Sequence, residues 1–176
     1  MKFQSSDILF EDNHLIIVNK KCGVLVQGDK TGDTPLLELV KEYIKNKYDK
    51  TGNVFLGLVN RIDRPVSGIV IFAMTSKALS RMNDKLKNRQ IRKLYWLFIS
   101  NKFKSNEGKI EGWFKKNKKI NKSFFSKEEV KDSKYGSLKY RIIEKLEKYL
   151  KIEVDLETGR HHQIPVSYTH LRAHET

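Results

Sequence analysis

The sequence predicts an α+β fold with a mainly antiparallel, mixed sheet and flanking helices. Three observations lead to this fold class: many short apolar segments, two longer segments with helical periodicity, and no internal repeat. The chain has 176 residues, of which 39% are hydrophobic and 32% are charged, as in ordinary globular proteins. This length suits one domain, or two very small ones, and is enough to bury a core.

The N-terminal residues predict a β-hairpin followed by a helix. Residues 8–10 and 15–18 are apolar runs separated by turn-forming residues at 11–13, and residues 23–26 suggest one more short strand. Residues 34–47 have the spacing of an amphipathic helix that starts at a threonine and a proline. Its apolar face carries Leu36, Leu37, Leu39, Val40 and Ile44.

The middle of the chain predicts a loop between two strands. Residues 54–59 are the first strand candidate, and the polar residues 60–68 contain proline and glycine, so they must form a loop. Residues 69–73 are continuously apolar, which predicts a strand buried on both faces. Ser76 is then expected to cap a second helix, whose apolar side carries Leu79, Met82 and Leu86.

The C-terminal half predicts further strands and a basic hairpin. Residues 103–134 are rich in lysine, asparagine and serine, and they contain a strand candidate at 110–114 that is followed by a basic tip at 115–119. Residues 94–99 are another strand candidate, and alternating apolar and polar residues predict two more strands, at 138–143 and 149–156.

Charge points to a polyanionic partner. The 35 Lys and Arg residues against 21 Asp and Glu residues give a net charge of +14, and nucleic acid is the commonest partner of so basic a protein. Lysine predominates over arginine, which favours attraction to phosphates over the reading of bases. A lysine-rich solvated surface is the alternative interpretation.

Composition also limits the compartment and the kinds of site. Cys22 is the single cysteine, so the chain can form neither an internal disulfide nor a multi-thiolate zinc site, and we interpret Cys22 as a small core residue. The N-terminus has no apolar signal segment, and no apolar run is long enough for a membrane helix. We therefore expect a cytoplasmic protein without a membrane or metal partner.

Two polar segments carry the chemistry. Residues 61–64 (Arg-Ile-Asp-Arg) place Asp63 between two arginines, whose charge would hold its carboxylate ionised. Residues 158–163 (Thr-Gly-Arg-His-His-Gln) follow a predicted strand and concentrate donors that suit phosphate or carboxylate binding. The alternatives are a solvated ion pair or turn cap for Asp63, and a surface histidine pair, which is a weak metal signal.

These segments resemble a known family. Residues 60–69 (Asn-Arg-Ile-Asp-Arg-Pro-Val-Ser-Gly-Ile) resemble the His-Arg-Leu-Asp-x-x-Thr-Ser-Gly signature of RluA-type RNA pseudouridine synthases. Residues 157–164 (Glu-Thr-Gly-Arg-His-His-Gln-Ile) are similar to the family's Thr-Gly-Arg-x-His-Gln-Ile-Arg motif, and residues 92–96 (Arg-Lys-Leu-Tyr-Trp) to its Lys-x-Tyr strand. Residues 8–23 resemble its entry hairpin, marked by Lys20 and Gly23.

The sequence departs from the family pattern at a few positions. Asn60 replaces the usual histidine, and Pro165 stands where the family has an arginine. Residues 165–176 resemble a translated sequencing adapter, so we expect them to be a non-native tail. His170 and His174 are then an accidental pair. Residues 1–164 are expected to form a partial catalytic domain that is incomplete at the C-terminus. We expect no S4-type domain before residue 8, as in single-domain members of the family. Ile62 and Val66 replace the family's leucine and threonine.

The resemblance implies isomerisation of specific uridines in structured ribosomal or transfer RNA by a monomer that needs no metal or organic cofactor. Asp63 would act as a nucleophile or a base, and both routes stay open. Arg160 would pair with Asp63, and Tyr95 would stack on the uracil and take its C5 proton. The substrate-binding residues implied are Arg61, Arg64, Lys93, Lys116 and Ile164, with Arg61 filling the vacated base stack and Ile164 lining the uracil pocket.

Three alternatives remain open at this point. A non-catalytic RNA-binding relative or an inactive fragment would keep the positive charge without needing Asp63, Tyr95 and Arg160 together. Tyr95 could be a core aromatic residue on a strand. A metal-dependent nuclease would use His161, His162 and Asp63, and chelators would inhibit it.

Overall fold

The computed structural model describes residues 3–100, 105–117, 119–120 and 122–174, with side chains described as far as residue 168. The chain forms two compact units, Met1–Gln90 (unit 1) and Ile91–Thr176 (unit 2). Each unit is built on its own sheet, of four strands in unit 1 and five in unit 2, and the strand pairings are antiparallel. The predicted α+β class is confirmed, with two sheets instead of one.

Unit 1 combines its sheet with two helices. The sheet has the order β1-β2-β4-β3, so β2 and β4 are its central strands. The predicted hairpin is confirmed as the pair of β1 and β2. In chain order the elements are a 3₁₀ turn at Ser5–Asp7, β1 Ile8–Glu11, β2 Leu15–Lys20, α1 Leu36–Lys47, β3 Gly57–Leu58, β4 Gly68–Ala73 and α2 Ser76–Lys87.

The core of unit 1 lies between the central strands and α1. Alternate residues of β2 and β4 point to one face, and residues spaced by three or four positions on α1 point back at them. Burial removes these apolar side chains from water, which is the main force that holds the helix on the sheet. The fully or almost fully buried residues are Ile16, Val18, Leu36, Val40, Ile44, Val70 and Phe72.

Four details of unit 1 differ from the predictions. Residues 23–26 are not a strand, because Gly23 adopts a left-handed conformation (φ 85°) and its backbone N–H bonds the carbonyl of Arg64. The strand expected at 54–59 is only Gly57–Leu58. β4 is buried on both faces only towards its end, since Ile69 is 55% exposed while Ala73 on the same face is fully buried beside α2. Thr75, not Ser76, caps α2, because its extended backbone lets Oγ1 accept from the N–H of Ala78.

Unit 2 is a five-stranded sheet with one helix, in the order β5-β9-β8-β6-β7. The strands predicted at 94–99, 138–143 and 149–156 are confirmed, and so is the hairpin, which is formed by β6 and β7. Residue 118 of its predicted tip lies outside the described residues. The elements are β5 Leu94–Ser100, β6 Glu107–Asn117, β7 Lys122–Ser126, β8 Lys134–Lys145, β9 Tyr149–Leu156 and α3 Gln163–His174.

Helix α3 was not predicted, because residues 165–176 were interpreted as a non-native tail. The helix runs through that boundary without a break, and Pro165 lies in its first turn, where no backbone N–H is needed. Ile164 and Tyr168 of α3 pack on the core face of the sheet. The side chains of His170 and His174 lie outside the described residues. The buried residues of this core are Ile110, Leu138, Leu150, Ile152 and Val154.

Candidate active site

The loop that carries Asp63 is fixed at its base by Asn60. The Asn60 side chain accepts a hydrogen bond from the N–H of Ile71 at 2.8 Å and donates one to the carbonyl of Ile69 at 3.0 Å. Both partners belong to β4, so Asn60 joins the start of the loop to the strand that follows it. The asparagine at the family's histidine position therefore has a structural role in this chain.

Asp63 begins an exposed turn. Its carbonyl accepts a hydrogen bond from the N–H of Val66 at 3.0 Å, which closes a four-residue turn with Pro65 at the third position. Asp63 and the neighbouring Arg61 are both exposed. The carboxylate predicted to react thus lies on the surface of unit 1, where a large substrate can reach it.

Lys20 lies buried beneath this turn. It is only 1% exposed, and its Nζ donates to the carbonyls of Lys21 (3.1 Å), Val24 (2.8 Å) and Arg64 (3.2 Å). Burial lowers the pKa of Lys20, and the nearby carboxylate of Asp63 opposes that shift. The ammonium group of Lys20 is therefore held close enough to Asp63 for the two charges to attract each other. Sequence reasoning noted Lys20 only as a mark of the family.

Arg64 faces the segment at 23–33. Its Nε donates to the carbonyl of Gly23 at 3.0 Å, and its Nη2 lies 2.7 Å from Asp33 Oδ2. Cys22 Sγ adds a contact of 3.1 Å to the carbonyl of Pro65. Cys22 is exposed, so its interpretation as a core residue was wrong: its side chain contacts the turn, not the apolar core. These contacts join residues 22–33 to the turn that carries Asp63.

In unit 2, Gln163 organises the segment that carries Arg160. Gln163 is buried, and its Oε1 accepts hydrogen bonds from Thr158 Oγ1 and from the N–H of Arg160, both at 2.9 Å. Its Nε2 donates to the carbonyl of Ser137 on β8 at 3.1 Å. All the polar atoms of the buried amide thus have partners, which fixes the backbone of Arg160 relative to β8.

The Arg160 side chain lies along β8. Its Nε donates to the carbonyl of Tyr135 at 2.7 Å. A Cβ at Gly136 would stand 3.1 Å from Arg160 Cγ and 2.7 Å from the ring of Phe114. Glycine at this position therefore leaves the room that the stem of Arg160 occupies.

The other residues predicted in unit 2 lie in three places. Tyr95 and Ile164 are partly buried and pack against the same apolar cluster, so Tyr95 has the core contacts that the structural alternative expected. Lys93 reaches the Arg160 segment, because its Nζ lies 3.6 Å from the position of a Cβ at Gly159. Lys116 is exposed near the end of β6.

The two histidines link the basic hairpin to the Arg160 segment. His161 Nδ1 lies 2.9 Å from the hydroxyl of Ser123 on β7, and the His161 ring stacks on His162 at 3.8 Å. Sequence reasoning missed Ser123, and it included Gln163 in the polar segment 158–163 without giving it a role of its own. Over the described ranges no group of three histidine, cysteine or acidic residues is arranged to hold a metal ion, and no helix has the length and apolarity to cross a membrane.

Comparison with known proteins identifies the family. The family model described as RNA pseudouridylate synthase matches residues 14–170. The chain belongs to the RNA pseudouridylate synthase family. The resemblance stated from the motifs is thereby confirmed.

Curated relatives in this family extend well beyond the length of this chain. An uncharacterized RNA pseudouridine synthase of Chlorobaculum parvum is 30% identical over 172 residues, which cover 93% of this chain and 51% of that protein. Ribosomal large subunit pseudouridine synthase D of Xylella fastidiosa is 28% identical, with coverages of 94% and 48%. Ribosomal large subunit pseudouridine synthase C of Vibrio parahaemolyticus is 30% identical, with coverages of 90% and 47%. The chain spans about half the length of these relatives.

Solved structures share the fold. Human RNA Pseudouridylate Synthase Domain Containing 4 matches with a TM-score of 0.79 at 17% identity, covering 94% of this chain and 64% of that one. Human RNA Pseudouridylate Synthase Domain Containing 1 matches with a TM-score of 0.73 at 16% identity, with coverages of 98% and 69%. The α+β architecture of this chain is therefore that of pseudouridylate synthase domain proteins.

Proposed function

We propose that the protein is an RNA pseudouridine synthase that uses Asp63 to isomerise uridines in structured RNA. The observation that carries the proposal is the exposed turn of Asp63, held from beneath by the buried ammonium group of Lys20. The turn lies within the family signature at residues 60–69. An exposed carboxylate on a rigid turn suits a reaction whose substrate is a macromolecule.

The reaction is an isomerisation, so its atoms balance within one nucleotide. The bond between N1 and C1′ breaks, the uracil turns, and a bond between C5 and C1′ forms. C5 then loses its proton and N1 gains one. The Asp63 carboxylate would either attack C1′ or remove a ribose proton, and the Lys20 ammonium group would hold the turn that presents it in both routes. Neither route requires a metal or an organic cofactor.

The residues of unit 2 take supporting roles in this proposal. Arg160, whose backbone and Nε are both anchored, would hold the reacting carboxylate ionised and oriented. Tyr95 would stack on the uracil and accept the C5 proton, and Ile164 would line the uracil pocket. Residues 1–164 are proposed as a partial catalytic domain.

We propose a structured ribosomal RNA as the substrate, since two relatives are named as synthases of the large ribosomal subunit. A stem-loop of transfer RNA is the second possibility. A paired uridine must leave the base stack before it can react, and the exposed Arg61 would fill the space. Arg64, Lys93 and Lys116 would contact phosphates, and Arg64 would exchange Asp33 for a phosphate. The proposed enzyme is a cytoplasmic monomer.

The test is to incubate the purified protein with unmodified cellular RNA and to measure pseudouridine in the digested nucleosides by mass spectrometry. We expect pseudouridine with the unaltered chain, with or without a chelator, and none with Asp63→Asn. Cleaved RNA and inhibition by the chelator would favour the nuclease instead. Retained RNA binding without pseudouridine would favour a non-catalytic relative.

The tail needs its own control. A second version carries a family-like C-terminus in place of residues 165–176, and it is assayed beside the unaltered chain. Activity in the second version alone would assign the inactivity of the unaltered chain to the tail. Equal activity in both would show that these residues do not limit the reaction.

A further inference from the structure

The sheet of unit 2 presents large apolar side chains to solvent on the face opposite its core. Along β5 the side chains alternate, so Tyr95, Leu97 and Ile99 pack on the core cluster while the residues between them point outward. Trp96 is 66% exposed and Phe98 is 62% exposed. A tryptophan and a phenylalanine this exposed at adjacent outward positions indicate a binding surface.

Strand β9 continues this surface. In the antiparallel register Trp96 stands opposite Glu153, Phe98 opposite Lys151, and Ser100 opposite Tyr149, and opposed residues share a face. Tyr149 is 53% exposed. Trp96, Phe98 and Tyr149 therefore lie on one face of the β5–β9 ribbon, and we refer to these three residues as the aromatic face.

Basic groups surround the aromatic face. Lys151 Nζ lies 4.5 Å from the centroid of the Trp96 ring, within the range of a cation–π contact. Arg92 pairs with Asp155 at 2.7 Å and Arg141 with Glu153 at 2.8 Å, and both arginine side chains stay mostly exposed. Ion pairs with such exposed arginines contribute little to the stability of the fold. Each arginine can therefore exchange its carboxylate for a phosphate with little loss of free energy.

The indole of Trp96 is already held in place. Its Nε1 donates a 3.2 Å hydrogen bond to Glu153 Oε2, while Lys151 lies over the ring. Glu153 is in turn bonded by Arg141. A ring that is fixed before binding loses little conformational entropy when a ligand stacks on it, which suits a binding platform.

The net charge of unit 2 indicates which class of ligand the aromatic face binds. Residues 91–176 contain 20 Lys and Arg against 11 Asp and Glu, so this half carries +9 of the net +14. A second copy of the chain would bring the same positive charge to the interface and would be repelled. A polyanion with planar bases satisfies both the cations and the rings, and single-stranded RNA is such a ligand.

We propose that the aromatic face binds a single-stranded segment of RNA by stacking bases on Trp96 and Phe98, with phosphates held by Arg92, Arg141 and Lys151. The segment would lie outside the reacting nucleotide, because these rings are on the opposite side of the sheet from Tyr95. This inference rests on the proposed RNA substrate, but it does not depend on catalysis by Asp63.

A fluorescence titration tests the platform. The chain has two tryptophans, so Trp113→Phe leaves Trp96 as the only one. This protein is titrated with an oligouridylate of about ten nucleotides, a length within the site size of a small single-strand binding surface. A ribose-phosphate chain of the same length without bases is the matched ligand. We expect quenching and tighter binding only with the oligouridylate.

Substitutions separate stacking from other contacts. Alanine at either ring should weaken oligouridylate binding by roughly 5- to 150-fold, the fold-change that corresponds to one stacked base. Trp96→Phe should keep most of the affinity, and Trp96→Leu should lose it, because leucine is apolar but not planar. Phe55→Ala is the control, since Phe55 is 50% exposed in unit 1 and should not contribute. Thermal unfolding checks that each variant is folded.

Several outcomes would overturn the inference. Equal affinity for the base-free chain would mean that phosphates alone are bound. Unchanged affinity in the Trp96→Leu and Phe98→Ala variants would exclude the rings as the platform. A dimer seen by sedimentation that Trp96→Ala dissociates, with RNA affinity unchanged, would assign the face to a second copy of the chain.

Failure of this inference is distinguishable from failure of the proposed function. Asp63→Asn should abolish pseudouridine formation and leave oligouridylate binding unchanged. Trp96→Ala should raise the KM for RNA and leave kcat within about twofold, since stacking away from the reacting base is equal in the ground and transition states. Binding without any isomerisation would therefore contradict only the catalytic proposal.

Discussion

Lys20 Nζ donates a 3.2 Å hydrogen bond to the main-chain carbonyl of Arg64, the residue after Asp63, although the two residues are 44 positions apart. The same ammonium group bonds the carbonyls of Lys21 and Val24. One buried cation thus joins the turn after β2 to the turn that presents Asp63. The geometry of the proposed reacting group depends on a residue that would not itself touch the substrate.

Lys20→Met is expected to impair both stability and catalysis. Methionine matches the length of the lysine stem but leaves up to three carbonyls without their donor, at roughly 1–3 kcal/mol for each group that stays unsatisfied. It also removes the positive charge beside Asp63, so kcat should fall at least about tenfold, equivalent to 1.4 kcal/mol. Equilibrium unfolding in urea and single-turnover kinetics measure the two effects.

A charge-retaining variant separates the charge of Lys20 from a purely structural role. Lys20→Arg keeps the positive charge beside Asp63 and should retain a kcat closer to that of the unaltered chain than Lys20→Met does. Equal losses of kcat in the two variants would leave Lys20 with a structural role alone.

Gln163→Ala is expected to loosen the Arg160 segment. The buried amide bonds Thr158, the backbone of Arg160 and the carbonyl of Ser137, so its loss should destabilise unit 2 by about 1–3 kcal/mol. We expect kcat to fall more than KM rises, because Arg160 is proposed to act on the reacting group. Hydrogen exchange of residues 158–163 should accelerate, and unchanged exchange would contradict the role of Gln163.

Glu11 is expected to give unit 1 an acid-sensitive component of stability. Burial favours the neutral carboxyl, but hydrogen bonds from Lys47, Tyr48 and Tyr43 outweigh it and lower the pKa of Glu11. Because the folded pKa lies below the unfolded value near 4.5, this stability is present above pH 4.5 and is lost as pH falls through the folded pKa.

Glu11→Gln tests that component. Unfolding free energies of the two proteins should differ by about 1–3 kcal/mol at pH 7 and converge towards pH 2. Glu38→Gln is a matched control, since the Glu38 carboxylate is half exposed and forms a surface ion pair with Lys41 at 2.9 Å. A difference between wild type and Glu11→Gln that stayed constant from pH 7 to pH 2 would contradict this explanation.

The basic hairpin should contribute to RNA affinity through charge alone. Lys115, Lys116, Lys119 and Lys122 are exposed near its end. Changing all four to glutamine should lower affinity for any RNA and reduce the slope of log affinity against log salt by up to about 3, near 0.7 for each lost phosphate contact with a single strand. Filter binding at several salt concentrations measures this slope, and an unchanged slope would exclude the hairpin from the interface.

Local patterns account for what the sequence predicted correctly. Alternation over residues 149–156 and helical spacing over residues 36–47 each bury one face, so strand β9 and helix α1 could be predicted without tertiary information. The loop at 60–68 followed from its proline and glycine. Three family motifs, moreover, named Asp63, Tyr95 and Arg160 as candidates before any geometry was available.

Long-range contacts account for what the sequence could not predict. Residues 23–26 were expected to form a strand, but the backbone N–H of Gly23 donates a hydrogen bond to the carbonyl of Arg64, 41 residues away. The hydrogen-bond partners of Lys20 are main-chain carbonyls, and Gln163 donates to another, and such groups carry no mark in a sequence. Helix α3 was not predicted, because residues 165–176 were interpreted as a translated adapter and their helical propensity was not considered.

The most direct test of the central claim follows the hydrogen that isomerisation removes. RNA labelled with tritium at C5 of uridine releases tritium to water when C5 bonds to C1′, so release counts turnovers while the chain stays intact. We predict release with the unaltered protein, and a loss of about 10²–10⁴-fold in Asp63→Asn at unchanged RNA affinity. Equal release from both proteins, or none from a folded protein that binds the RNA, would contradict the assignment of Asp63 as the catalytic carboxylate.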